Sequence, residues 1–178
     1  MKPLQASILL AAGLALAGCT KAPPLDRTVS AETPSALSAW RDRMGDDLTP
    51  AQWQDFDEAL QEIRFKIIID PAAPAGDAVD AKVRAAIAGH SVRDVLRLGF
   101  ESKLARLDAE GTQLESFLRM NSQIKPGGAQ SAHDLSDSLY TQISLLRKVD
   151  EEMERTGQKL DLLLQRPHGV RKPREPLP

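Results

Sequence analysis

The chain holds one cysteine, three histidines and few aromatics: four Phe, two Trp and one Tyr. A lone thiol cannot close an internal disulfide, so this is not a disulfide scaffold. His90, His133 and His168 are far apart, and none stands three or four residues from another. No transition-metal constellation follows, and neither metal nor cofactor is expected. So few aromatics argue against an aromatic-lined sugar cleft. Excess charge is missing as well: a net charge of −2 gives no basic footprint for nucleic acid. β-branched residues are sparse and never alternate with polar ones over a strand's length. The apolar run 7–16 is shorter than the roughly 20 residues a membrane-spanning helix needs.

Helix formers dominate what remains: Ala, Leu, Arg, Glu and Gln. The expected fold class is all-α, with short N-terminal helices followed by a long antiparallel coiled-coil-like helical hairpin.

The N-terminus has three zones: Met1-Lys2, the apolar run, then Leu16-Ala17-Gly18-Cys19. A positive start, a short apolar stretch and small residues at its end describe a secretory signal peptide. The last four residues resemble the lipobox of bacterial lipoproteins. That resemblance implies cleavage between Gly18 and Cys19, a diacylglycerol thioether on Cys19 and acylation of the new amine. Two or three acyl chains give stable anchoring, where one gives only marginal binding. Ala15-Leu16-Ala17 also offers a conventional cleavage site, which would leave a secreted protein with an unpartnered thiol. An oxidising compartment disfavours that arrangement. By the sorting rule of two-membrane bacteria, Thr20 in place of Asp implies the outer membrane, facing the periplasm.

The expected organisation is a signal peptide over 1–18, a lipidated flexible tether over 19–32 and a short-helix region over 33–90. A long helical hairpin over 91–165 and a basic, proline-rich, disordered tail over 166–178 complete it. Thr33-Pro34 and Thr49-Pro50 each pair an N-cap with proline at the first helical position. Gln52 completes a capping box on Thr49. Trp53, Phe56, Leu60, Ile63 and Ile67 form one stripe, and Asp70-Pro71 stops that helix. A short helix over 78–88 faces inward through Val79, Val83 and Ile87. Ser91 caps the next helix, whose seam is Phe100, Leu104, Leu107, Gly111, Leu114 and Leu118. A second seam runs Leu135, Leu139, Gln142, Leu146, Val149, Met153, Thr156, Leu160 and Leu163. Folding the chain back at Pro126-Gly127 pairs Leu118 with Leu135, Leu107 with Leu146, and Gln142 with Gly111. A parallel dimer of either long helix is the rival, with Gln142 setting the register.

Ser122-Gln123-Ile124-Lys125 matches the S-x-x-K nucleophile motif, but at a helix end and without its companion motifs. No catalytic residue is nominated, and the protein is read as not an enzyme. The acidic run Glu151, Glu152 and Glu154 reads as a solvated face. Trp40 and Trp53 read as core. The segments 53–68 and 87–95 are similar to small bacterial lipoproteins of uncharacterised function, a resemblance that brings no activity.

The expected role is therefore structural or interactive. The partners are the lipid bilayer, through acylated Cys19, and another envelope protein, with Leu145, Leu162 and Leu164 as the candidate contact surface. The alternative is a binding or chaperone-like module that holds a peptide or lipid between the short helices and the hairpin. A pocket where Trp40, Trp53 and Phe56 converge would favour that alternative.

Overall fold

The structure is a computed structural model and describes residues 22–73, 76–124 and 129–165. The fold is all-α: α1 (Pro34–Met44), α2 (Pro50–Ile68), α3 (Asp77–Ile87), α4 (Val92–Ser122) and α5 (Ala129–Leu163). A single 3-10 turn (Pro24–Asp26) precedes them. No strand occurs among the described residues, only an isolated bridge between Thr28 and Ser91.

The helix starts are local chemistry. Thr33 and Thr49 accept from the backbone N–H groups of Ala36 and Gln52, each with proline at the first helical position. Gln52 returns the bond through Oε1 to the Thr49 N–H at 2.9 Å, which closes the capping box. Ser91 accepts from Asp94 N–H at 3.1 Å. The turn between α3 and α4 needs Gly89, whose φ of +79° disfavours any side chain.

The core forms where the stripes of α1, α2, α3 and the first half of α4 meet. Phe56, Ile87, Val92 and Val95 are essentially inaccessible there. Trp40, Trp53 and Phe56 stack as a triplet with centroids 5.4–6.0 Å apart. Both indole N–H groups donate to carbonyls, Trp40 to Thr28 at 2.8 Å and Trp53 to Gly45 at 3.3 Å. The aromatic junction is thus packed.

The expected flexible tether over 19–32 needs correction in its second half. Val29 and Ala31 are fully buried. Val29 N–H donates to His90 at 2.8 Å, Gly89 N–H donates to Val29 at 3.0 Å, and Val92 N–H donates to Arg27 at 3.0 Å. Arg27 is also paired with Asp47. Proline and charge content suggest a loose segment, but the backbone partners that hold it lie about sixty residues downstream.

α4 and α5 pack on each other with contacts that run in opposite chain directions. Arg93 at the start of α4 donates to the Leu163 carbonyl at the end of α5, 2.9 Å away. Ten residues further on, Lys103 is paired with Glu152. Leu107, Val149 and Met153 are buried in one cluster with Leu104 and Leu114 against it. Lys103 and Glu152 each immediately precede a seam residue, Leu104 and Met153, as flanking charges of facing seams do. The connection 125–128, which contains the expected fold-back point, lies outside the described residues. Cysteines at Leu114 and Leu139, in a Cys19→Ser background, are expected to form an intramolecular disulfide. A covalent dimer on non-reducing gels would show the parallel alternative instead.

Candidate functional site

α2 lies along α4 in the same direction. Glu58 pairs with Lys103, and one turn later Glu62 pairs with Arg106. The helices approach most closely where Gly99 meets Ala59: a Cβ on Gly99 would overlap the Ala59 Cα and Cβ and stand 3.0 Å from its carbonyl oxygen. Further along α4, the small Ser102, Ala105 and Ala109 stand between the longer Glu101 and Arg106, while the α2 side presents Glu62, Phe65, Lys66 and Ile69. A cavity of about 300 Å³ opens between them, with Leu98 at one end.

Part of its polar wall is a locked pair. Arg106 Nε donates to Glu62 Oε2 at 2.9 Å and Nη2 donates to Oε1 at 2.6 Å. Glu62 is only 6% exposed, so the fork-on-fork geometry offsets its desolvation. The hydrogen bonds it donates to Glu62 raise the Arg106 pKa further, against the opposing effect of burial. The guanidinium also stands over the Phe65 ring at 5.9 Å. Ser102 donates its hydroxyl to the Leu98 carbonyl at 2.8 Å, so that group is already engaged. The groove therefore offers mostly apolar contact, bordered by the fixed Glu62–Arg106 pair and by the Lys66 and Glu101 side chains.

On its rim Phe65 is 50% exposed and Ile69 is 69% exposed, with Ile68 beside them at 48%. These three residues lie off the α2 stripe and were not nominated from the sequence. The signal was present: five of the seven residues 63–69 are apolar, more than a single stripe uses. The nominated contact residues fare differently. Leu145 and Leu162 are exposed, but they lie seventeen positions apart on α5, about 26 Å along the axis. Leu164 is half-buried. The three do not form one surface. Gly18 and Cys19 lie outside the described residues. The cavity sits on the flank of α4, away from the Trp40–Trp53–Phe56 junction.

Among the described residues, no cluster of three or more His, Cys, Asp or Glu could hold a metal ion, and no helix is long and apolar enough to cross a membrane. His133 Nδ1 lies 3.2 Å from Asp137 Oδ2 on the α5 surface. No family model, curated protein or solved structure matches the chain.

Proposed function

We propose that the protein is a lipid-anchored, non-enzymatic envelope component that docks another envelope protein in the groove between α2 and α4. The exposed trio Phe65, Ile68 and Ile69 beside an apolar cavity carries this reading. Large apolar side chains grouped at a concavity mark contact sites more often than isolated surface leucines do. A ridge of bulky residues facing a row of small ones also matches the way an amphipathic helix is seated. Anchoring rests on the lipobox at Leu16-Ala17-Gly18-Cys19, and the sorting rule for Thr20 supports the periplasmic face of the outer membrane.

A second reading is a carrier for a peptide or acyl chain held in the same groove, favoured by its apolar lining. About 300 Å³ is at the small end of ligand sites, which weighs toward a protein partner that buries only a few side chains there.

The test places a photo-crosslinking residue at Ile69 in living cells, with Leu162 as control. A discrete protein adduct is expected at Ile69, absent at Leu162, and abolished by Phe65→Asp with the helix content unchanged. A lipid adduct at Ile69 would select the carrier reading, and equal yields at both positions would defeat both. Cys19→Ser should shift the chain from the membrane pellet to the soluble fraction and reduce the adduct.

A further inference from the structure

The groove between α2 and α4 differs from one end to the other. The two helices run in the same direction, and the Glu62–Arg106 pair fixes their register. Phe65, Lys66 and Ile69 of α2 line the groove beyond that pair, whereas Leu98, Glu101 and Ser102 of α4 line it before the pair. One end therefore offers the bulky Phe65 and Ile69, both half exposed or more. The other has Ser102 and Ala105 as its floor, and no apolar residue of α2 lines it.

Charge follows the same order. Of the four charged side chains that line the groove, Glu62 and Arg106 are closed on each other. Glu101 lies 3.8 Å from Arg97, which also stands 3.4 Å from Asp94, so one cation serves two acids there. Lys66 is exposed and has no ion-pair partner among the described residues. Lys66 is four residues past Glu62 and Glu101 is five before Arg106. At 1.5 Å per residue the two stand about 13 Å apart along the groove, with the locked pair near the midpoint.

A surface that is bulky and cationic at one end, small and anionic at the other, complements itself when turned end for end. We infer that the partner in this groove is a second copy of the chain, related by a two-fold axis normal to the groove. This names the partner in the docking reading above and rests on it. Phe65 and Ile69 of each copy seat over Ser102 and Ala105 of the other, and Lys66 of each faces Glu101 of the other. Every contact is thus made twice, as an isologous interface requires. The Glu62–Arg106 pair falls beside the axis, where it meets its own counterpart. Each carboxylate is already bound to its guanidinium, so a neutral pair meets a neutral pair and like charges are not forced together.

The experiment uses the chain from position 19 onward with Cys19→Ser, which keeps every described residue and prevents a disulfide between copies. Sedimentation equilibrium at rising concentration should show a dimer with a Kd of about 10 µM, as suits a small contact. K66E and E101K should each raise that Kd by about 10-fold, because both cross-pairs become like-charged. An equimolar mixture of the two variants should recover the wild-type affinity, since each K66E chain then faces an E101K chain and both pairs are again opposite in sign. Phe65→Asp should leave only monomer, with circular dichroism unchanged. A chain that stays monomeric, a dimer indifferent to Phe65→Asp, or variants that fail to recover on mixing would each overturn the inference. The photo-adduct at Ile69 in cells separates this from the docking reading. Peptides of this chain alone in the adduct are expected. Peptides of a different protein would overturn the second copy and leave docking standing, and no protein adduct at all would remove both.

Discussion

Gly99→Val should lower stability by about 3 kcal/mol, and Gly99→Ala by about 1–2 kcal/mol, in urea unfolding followed by Trp40 and Trp53 fluorescence. In an isolated helix both changes would help, because glycine is about 1 kcal/mol worse than alanine in a helix interior. Here packing decides the sign. The added Cβ would meet the Cα and Cβ of Ala59, which belong to a helix backbone and its first carbon and cannot swing aside. α2 would have to move off α4, and the Glu58–Lys103 and Glu62–Arg106 pairs lie along the same contact. Ala59→Gly should recover part of the loss in the double variant, since it vacates the space the new methyl needs. A Gly99→Ala protein more stable than wild type would show that the two helices are not in close contact.

Lys103→Ala should cost about 2 kcal/mol, and Lys103→Met less than about 1 kcal/mol. Lys103 is 7% exposed and tied to Glu58 on α2 and Glu152 on α5, so one ammonium joins three helices. Removing it strands two carboxylates beside an empty volume. The loss is smaller than for a fully buried pair, because both acids are part-exposed and keep other partners. Lys159 Nζ lies 3.3 Å from Glu58, and Arg155 Nη2 lies 2.6 Å from Glu152. Methionine fills the volume without the charge.

The same network sets a pH signature. Burial alone would lower the Lys103 pKa, but hydrogen bonds and charge from Glu152 and Glu58 outweigh it and hold the pKa above the ordinary 10.5. Burial alone would raise the Glu58 pKa, but Lys103 and Lys159 hold it below the ordinary 4.5. A raised ammonium pKa contributes stability that is complete below 10.5 and is lost as pH rises through the folded-state value. A depressed carboxylate pKa contributes stability that is present above 4.5 and is lost as pH falls through the folded-state value. The network therefore contributes evenly across neutral pH. The urea midpoint of wild type should drop more than that of Lys103→Met on acidification below 4.5. Parallel acid losses in the two proteins would remove Lys103 from this role.

What could be read from the chain alone was whatever depends on neighbours within about four residues, or on a regular period. Thr49, Gln52 and Pro50 announce the start of α2 because cap, box and proline act within a single turn. The two long seams were legible because period alone tells which residues turn inward. Phe100, Leu107, Gly111 and Leu118 are buried on α4, as are Val149, Met153, Thr156 and Leu163 on α5. Gly99 looked unremarkable because its need for a bare backbone comes from Ala59, forty residues earlier. Phe65 and Ile69 carry no site signal in the chain alone, because the cavity exists only once α4 lies opposite them. Lys103 has no local signal that separates it from a solvated charge, because Glu58 and Glu152 come to it from two other helices.

By itself, then, the sequence determined the helical class, the caps, the inward faces and the thiol at position 19. Tertiary structure decided what those faces meet. It locked residues 27–31 against 89–92, where a loose tether was expected. It opened a groove at Phe65 and Ile69 and scattered the leucines first chosen as a contact surface. It also set Asp26 and Leu163 on the two ends of one arginine, Arg93. Capping and periodicity are short-range and leave their signal in adjacent residues. Burial, ion pairing and the meeting of chain ends depend on partners tens of residues away, and only the folded chain brings those together.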